Sequence, residues 1–314
     1  MTATHPDTRK YLDPKVLARI SSLEIRARMA VEGFFAGMHH SPHRGLSVEF
    51  ADHRIYTQGD DLRHIDWKVF GKTDKYYIKE YEQETNLEIM LVVDCSESMA
   101  FRSSPELMTK YEYATSVAGA IAYLALQQQD SVGLAMFNER LTYFLKPHNN
   151  PHHWRTIIHE LDGKTGPAKT STGRVLAEIT ERLRHRVMLI LISDLFDDSE
   201  VILKSLKLLR FHHHEIIVWN LWDPAELQFP YHGPTLFEGL EDSGRLLAEP
   251  GALRQRYLEE VARFQDRLRL GCGHMHVEFT LFNTSMALDA ALSGYLATRG
   301  ARLRSRSSRS AGGR

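Results

Sequence analysis

The chain has 314 residues, 43% of them hydrophobic, enough for a full core in one large domain or two smaller ones. Its 39 lysines and arginines nearly cancel its 40 aspartates and glutamates, so no whole-chain electrostatic attraction to nucleic acid is expected. The two cysteines, Cys95 and Cys272, are too few for a disulfide framework and fit a reduced, cytoplasmic protein.

The first ten residues, MTATHPDTRK, contain no apolar signal-peptide core. From about Asp13 to Phe35, Val16, Leu17, Ile20, Leu23, Ala27, Ala30, Val31 and Phe34 recur at the spacing of one helix face, with Asp13 and Pro14 as N-cap and first-turn residues. From His39 to Asn86 the pattern changes to short charged segments rich in aromatics and punctuated by Gly45, Gly59 and Gly71, which predicts short strands and turns. Within it, Arg54, Asp60, Asp61, Arg63, Asp66 and Trp67 suit an ion-pair network beneath a tryptophan, or a partner-binding surface.

From Leu87 strands and helices alternate. Leu87–Val93 and Val187–Ile192 are near-continuous apolar runs, as in parallel strands covered on both faces. Ser131–Phe137 and Leu141–Leu145 flank the short turn Asn138-Glu139-Arg140 and predict a hairpin; Glu215–Trp222 and His276–Phe282 supply two more strands. Helices are expected at about Lys110–Gln129, His152–Leu161, Thr172–Leu183, Ser199–Arg210, Leu253–Leu270 and Thr284–Ala297. The expected fold is α/β: a doubly wound, mostly parallel sheet with one antiparallel edge strand, preceded by an N-terminal helix and a small β-rich segment. The corresponding divisions are residues 1–86, 87–298 and a basic tail, 299–314, where five arginines and no acid from Gly300 to Arg314 read as disordered. No apolar run approaches the ~18–20 residues of a membrane span.

In such a sheet ligands gather outside the carboxyl ends of the strands at the topological switch point. Two strands each end in an aspartate there, Asp94 and Asp194, and converging carboxylates repel unless a cation sits near them. The loop Asp94-Cys95-Ser96-Glu97-Ser98 offers one carboxylate and two hydroxyls, and the Thr-rich loop Lys169-Thr170-Ser171-Thr172-Gly173 offers a third hydroxyl. Mg²⁺ suits such oxygen ligands, with Mn²⁺ or Ca²⁺ as alternatives. The competing reading is a helix cap, because Asp and Ser favour N-caps and Asx turns.

Asp94-Cys95-Ser96-Glu97-Ser98 resembles the metal-ion-dependent adhesion site of von Willebrand factor A domains. The resemblance implies metal ligands Asp94, Ser96, Ser98, Thr170 and Asp194, with the serines binding directly and an open position for a partner's carboxylate. The chain departs from the family's Gly-Gly-Thr-Asp-Leu, having Ala168-Lys169-Thr170-Ser171-Thr172. Upstream, Arg44-Gly45 with Glu49-Phe50, then Arg54 with Tyr56, Gly59-Asp60-Asp61 with Arg63, Ile65-Asp66-Trp67, and the tyrosines before Lys79-Glu80 closely resemble the bacterial domain-of-unknown-function family fifty-eight, over about residues 15 to 290. Its members resemble von Willebrand factor A proteins and commonly occur with MoxR-type AAA+ ATPases. The resemblance implies an adaptor coupling such an ATPase to a client protein.

No phosphate loop of the G-x-x-x-x-G-K-[ST] kind, no G-x-S-x-G elbow and no H-E-x-x-H helix occurs, so the expectation is a non-enzyme. The alternative is a Mg²⁺-dependent phosphoryl-transfer enzyme with Asp94 as nucleophile, against which stand a missing acid two residues on and the lack of an obvious catalytic lysine. His212-His213-His214 reads as a helix C-terminus complementing the dipole rather than a metal site.

Overall fold

The structure is a computed structural model that describes residues 14–39, 53–55, 71, 76–79, 87–150, 152–163, 170–239 and 244–298. The first expected helix is broken in two: α1 (Pro14–Leu17) and α2 (Leu23–His39). The break follows from Ser22, whose hydroxyl accepts the Ile25 amide at 3.4 Å and restarts the helix as an N-cap. Arg26 then donates to the Ile20 carbonyl, which the break leaves outside any helix. In the charged segment, β1 (His53–Ile55) pairs antiparallel with β2 (Tyr77–Lys79), setting Arg54 opposite Ile78. Asp60, Asp61, Arg63, Asp66 and Trp67 lie outside the described residues, as do Asp13 and the tail 299–314.

The rest alternates: β3 (Glu88–Asp94), a 3-10 turn (Glu97–Ala100), α3 (Lys110–Gln127), β4 (Ser131–Phe137), β5 (Leu141–His148), α4 (His153–Leu161), α5 (Thr172–Arg182), β6 (Met188–Ser193), α6 (Ser199–Phe211) and β7 (Glu215–Trp222). A short α7 (Pro224–Gln228), the hairpin β8 (Thr235–Glu238) and β9 (Arg245–Ala248), then α8 (Pro250–His274), β10 (Glu278–Asn283) and a helix over residues 289–298 follow. Six strands form one sheet in the order β10-β7-β6-β3-β4-β5, parallel throughout except for β5, which pairs antiparallel with β4 at the edge. The chain thus steps outward from β3 through β4 and β5, then returns to β6 on the other side of β3. That reversal puts the switch point between β3 and β6.

Alternation along the strands sorts the core into two layers. Met90 and Val92 of β3, with Leu189 and Leu191 of β6, face Val175 and Ile179 of α5, Leu206 of α6 and Leu268 of α8. Ile89, Leu91 and Val93, all fully buried, take the other face, where α3 packs. Among the described residues, 14–37 group by contacts with 87–296. The first helices therefore join the sheet unit rather than the charged segment that follows them in sequence: Ala27 of α2 closes on Gly119 of α3, and the Arg28 guanidinium lies 5.0 Å from the centre of the Trp154 ring of α4. Among the described residues no helix is long and apolar enough to cross a membrane.

Candidate metal site

The parallel register that pairs Val93 with Ile192 continues to set Asp94 abreast of Ser193 at the carboxyl edge. By alternation both side chains lie on the α5 side, and the Ser193 hydroxyl donates to Asp94 Oδ2 at 2.6 Å. Asp94 Oδ1 accepts the Ser96 amide at 2.9 Å, an Asx turn that bends the chain sharply after the strand. Asp94 is fully buried. Burial first, and the charge of Asp194 second, raise its pKa to about 7, while hydrogen bonds from Ser193 and Ser96 pull the other way.

The helix-cap reading fits the Asp94 turn but not the serines. Ser96 opens the 3-10 turn with no side-chain cap hydrogen bond, and its hydroxyl lies instead 3.1 Å from that of Ser98. Both residues are buried. Two hydroxyls held together beside a buried carboxylate form a set of hard oxygen donors, and this fits a hard divalent cation. Among the described residues no three His, Cys, Asp or Glu side chains converge on a common point, so such a cation would depend on the hydroxyls.

Asp194 follows β6 directly, one residue past the position abreast of Asp94. Its Oδ1 accepts the Phe196 amide at 3.2 Å, and Asn220 fixes its backbone by donating to the carbonyl at 2.8 Å. Its Oδ2 receives the Lys110 ammonium at 2.8 Å. Lys110, the first residue of α3, is fully buried and also reaches Glu226 Oε1 at 2.7 Å. Burial opposes the ammonium form, but Asp194 and Glu226 outweigh it and the pKa rises above its ordinary value. Leu195, between Asp194 and Phe196, adopts the left-handed conformation at φ 58°, strain that a bulky residue bears only where its surroundings hold it. Its amide donates to Ser193 Oγ at 2.9 Å, tying the turn back to the Asp94 pair.

The structure therefore brings Asp94, Ser96, Ser98 and Asp194 to one sheet edge. Thr170 is half-buried just before α5 and has a partner of its own. Two positions on, the Thr172 hydroxyl is buried with no hydrogen-bond partner among the described residues. Lys110, Ser193, Glu226 and Asn220 are additions that the motif did not indicate. Cys95 is buried, its thiol donating to the Phe137 carbonyl at 3.1 Å, and burial pushes its pKa to about 11, which makes it an inert packing residue at neutral pH. At the end of α6, His214 is buried and its Nδ1 accepts the Val187 amide at 3.3 Å, so this ring is committed to packing.

Three comparisons place the chain among known proteins. An uncharacterized protein of Mycobacterium tuberculosis is 26% identical over 267 residues, which cover 83% of this chain and 80% of that one. Solved chains similar in structure include the conserved hypothetical protein BatB from Bacteroides thetaiotaomicron (TM-score 0.46, 14% identity, 69% of this chain and 100% of that one). The SpRpn10 VWA domain is another (TM-score 0.39, 13% identity, 67% and 94%). The model of the family described as protein of unknown function DUF58 matches residues 52–267, more than half of the chain, and the chain belongs to that family.

Proposed function

We propose that this chain is a divalent-cation-dependent protein-binding adaptor that works in the cytoplasm with a MoxR-type AAA+ ATPase in the maturation of a client protein or complex. The observation that carries the reading is the paired hydroxyls of Ser96 and Ser98 beside the buried Asp94 carboxylate. Mg²⁺, or Mn²⁺ or Ca²⁺ in its place, would be held by Ser96, Ser98 and Asp94, with Asp194 and the Thr170 loop completing the set. When bound, it supplies a Lewis-acidic point that attracts an anionic group of a partner. The chain's own part is to hold the donors in place: Ser193 fixes one Asp94 oxygen and the Ser96 amide the other, so the carboxylate has a single orientation. The ATPase as partner rests on the family resemblance.

The rival reading, phosphoryl transfer with Asp94 as nucleophile, now meets a buried lysine in the same edge, Lys110. Yet its ammonium is spent on two carboxylates, and Asp94 has neither an exposed oxygen nor a depressed pKa. An in-line nucleophile needs both access and charge. The geometry favours binding over turnover.

The test is capture of the purified ATPase by the full chain. Addition of EDTA and Asp94→Ala should each abolish capture, with the circular-dichroism spectrum of the variant unchanged. Capture indifferent to both treatments would sink the proposal.

A further inference from the structure

Lys110 pays twice for its position. It is fully buried, which opposes any charge, and it stands at the first turn of α3, where the helix dipole opposes a positive one. Those two penalties are offset by two carboxylates, Asp194 at 2.8 Å and Glu226 at 2.7 Å, and by the Phe196 ring, whose centre lies 4.8 Å from the ammonium. Glu226 is itself anchored, because its second oxygen accepts the Asp223 amide at 2.7 Å in the capping box of α7. The neighbouring Asp223 is satisfied separately, by the Ser103 and Ala225 amides.

From this arrangement we infer that Lys110 sets the charge of the cation site: by offsetting Asp194, it leaves a bound divalent cation short of negative charge, so that an acidic group of a partner is needed to complete it. The inference rests on the cation-site reading above and adds to it the residue that determines how strongly the site demands an anion. Without Lys110, Asp94 and Asp194 together would neutralise a divalent ion and leave little attraction for a partner. Glu226 acts in the opposite sense, since it holds Lys110 and shields part of its charge.

The two ends of this ion pair must therefore shift cation affinity in opposite directions, which structural damage would not do. Calorimetric titration of the full chain with Mn²⁺ at constant ionic strength reads the effect directly. Lys110→Met is expected to tighten Mn²⁺ roughly tenfold and Glu226→Gln to weaken it by a similar factor, as for a unit charge removed at several ångströms in a partly screened site. Circular dichroism verifies folding. If Lys110→Met alone does not fold, the double variant Lys110→Met/Glu226→Gln, which removes the pair together, is expected to stay within about threefold of the unaltered chain. Shifts of the two single variants in the same direction, or an affinity that Glu226→Gln leaves unchanged, overturn the inference alone. Failure of the unaltered chain to bind Mn²⁺ overturns the cation-site reading and this inference with it.

Discussion

An aspartate with no exposed surface, set near a second aspartate, is held in the folded chain at a cost in its ionised form. For Asp94 the folded pKa is raised to about 7, from an ordinary 3.8. Between those values the unfolded chain has lost a proton that the folded chain still keeps, so without a cation the stability falls as pH rises from about 4 to about 7. Asp94→Asn should flatten that fall and, in EDTA at pH 8, leave the chain at least as stable as the unaltered one, since an amide can still accept from the Ser96 N–H. Urea unfolding at pH 5 and pH 8 reads both; a variant less stable at pH 8, with the same pH slope, would count against the buried-charge account. The Asp94, Ser96, Ser98 and Asp194 positions were legible because strand ends and a short loop announce them. Lys110 was not, since a lysine opening a helix reads as a solvated one, and Glu226 reads as a capping glutamate, which it also is. Ser193 needed the strand register, which no single sequence prints.

At the scale of elements, β3, β6 and β7 stand almost where their apolar runs placed them, because strands buried on both faces leave few alternatives. Ends set by side-chain hydrogen bonds were harder. The last helix begins at residue 289 rather than at Thr284, because Asn283 Oδ1 accepts the Ser285 amide at 2.8 Å and turns the chain first. The β5 strand runs on through Pro147 to His148, which an edge strand tolerates where a central one would not. The start of α5 yields a prediction. A Cβ on Gly173 would lie 2.4 Å from Val201 Cγ1 and 3.2 Å from the Val201 backbone of α6, so the two helices meet there with no spare room. Gly173→Ala is expected to destabilise by about 1–3 kcal/mol. At Gly273 of α8 a Cβ would meet nothing within 4 Å, and Gly273→Ala should be neutral or stabilising by up to ~1 kcal/mol. Equal melting temperatures for the two variants would contradict this account of the α5–α6 contact.

For the whole molecule, the position of the site matters more than its size. Asp94 and Asp194 terminate the two strands on either side of the chain reversal, and the helix-opening loop at Thr170–Thr172 lies on the Asp94 face. A cation held there joins elements that are otherwise connected only through the core, and any ligand that binds the folded chain alone stabilises all of it. At one hundred times its dissociation constant the gain is about 2.7 kcal/mol, which for a domain of this size is roughly 5–10 °C in melting temperature. The formal net charge is only −1, so added salt should act weakly through general screening, and NaCl at matched ionic strength is a clean control. The rise with Mg²⁺ or Mn²⁺ should be full at pH 8 and smaller at pH 5.5, where the cation must first displace the proton that Asp94 keeps. Asp94→Ala should abolish it at both. A melting shift of equal size in that variant, or one reproduced by NaCl, would place the cation elsewhere on the molecule.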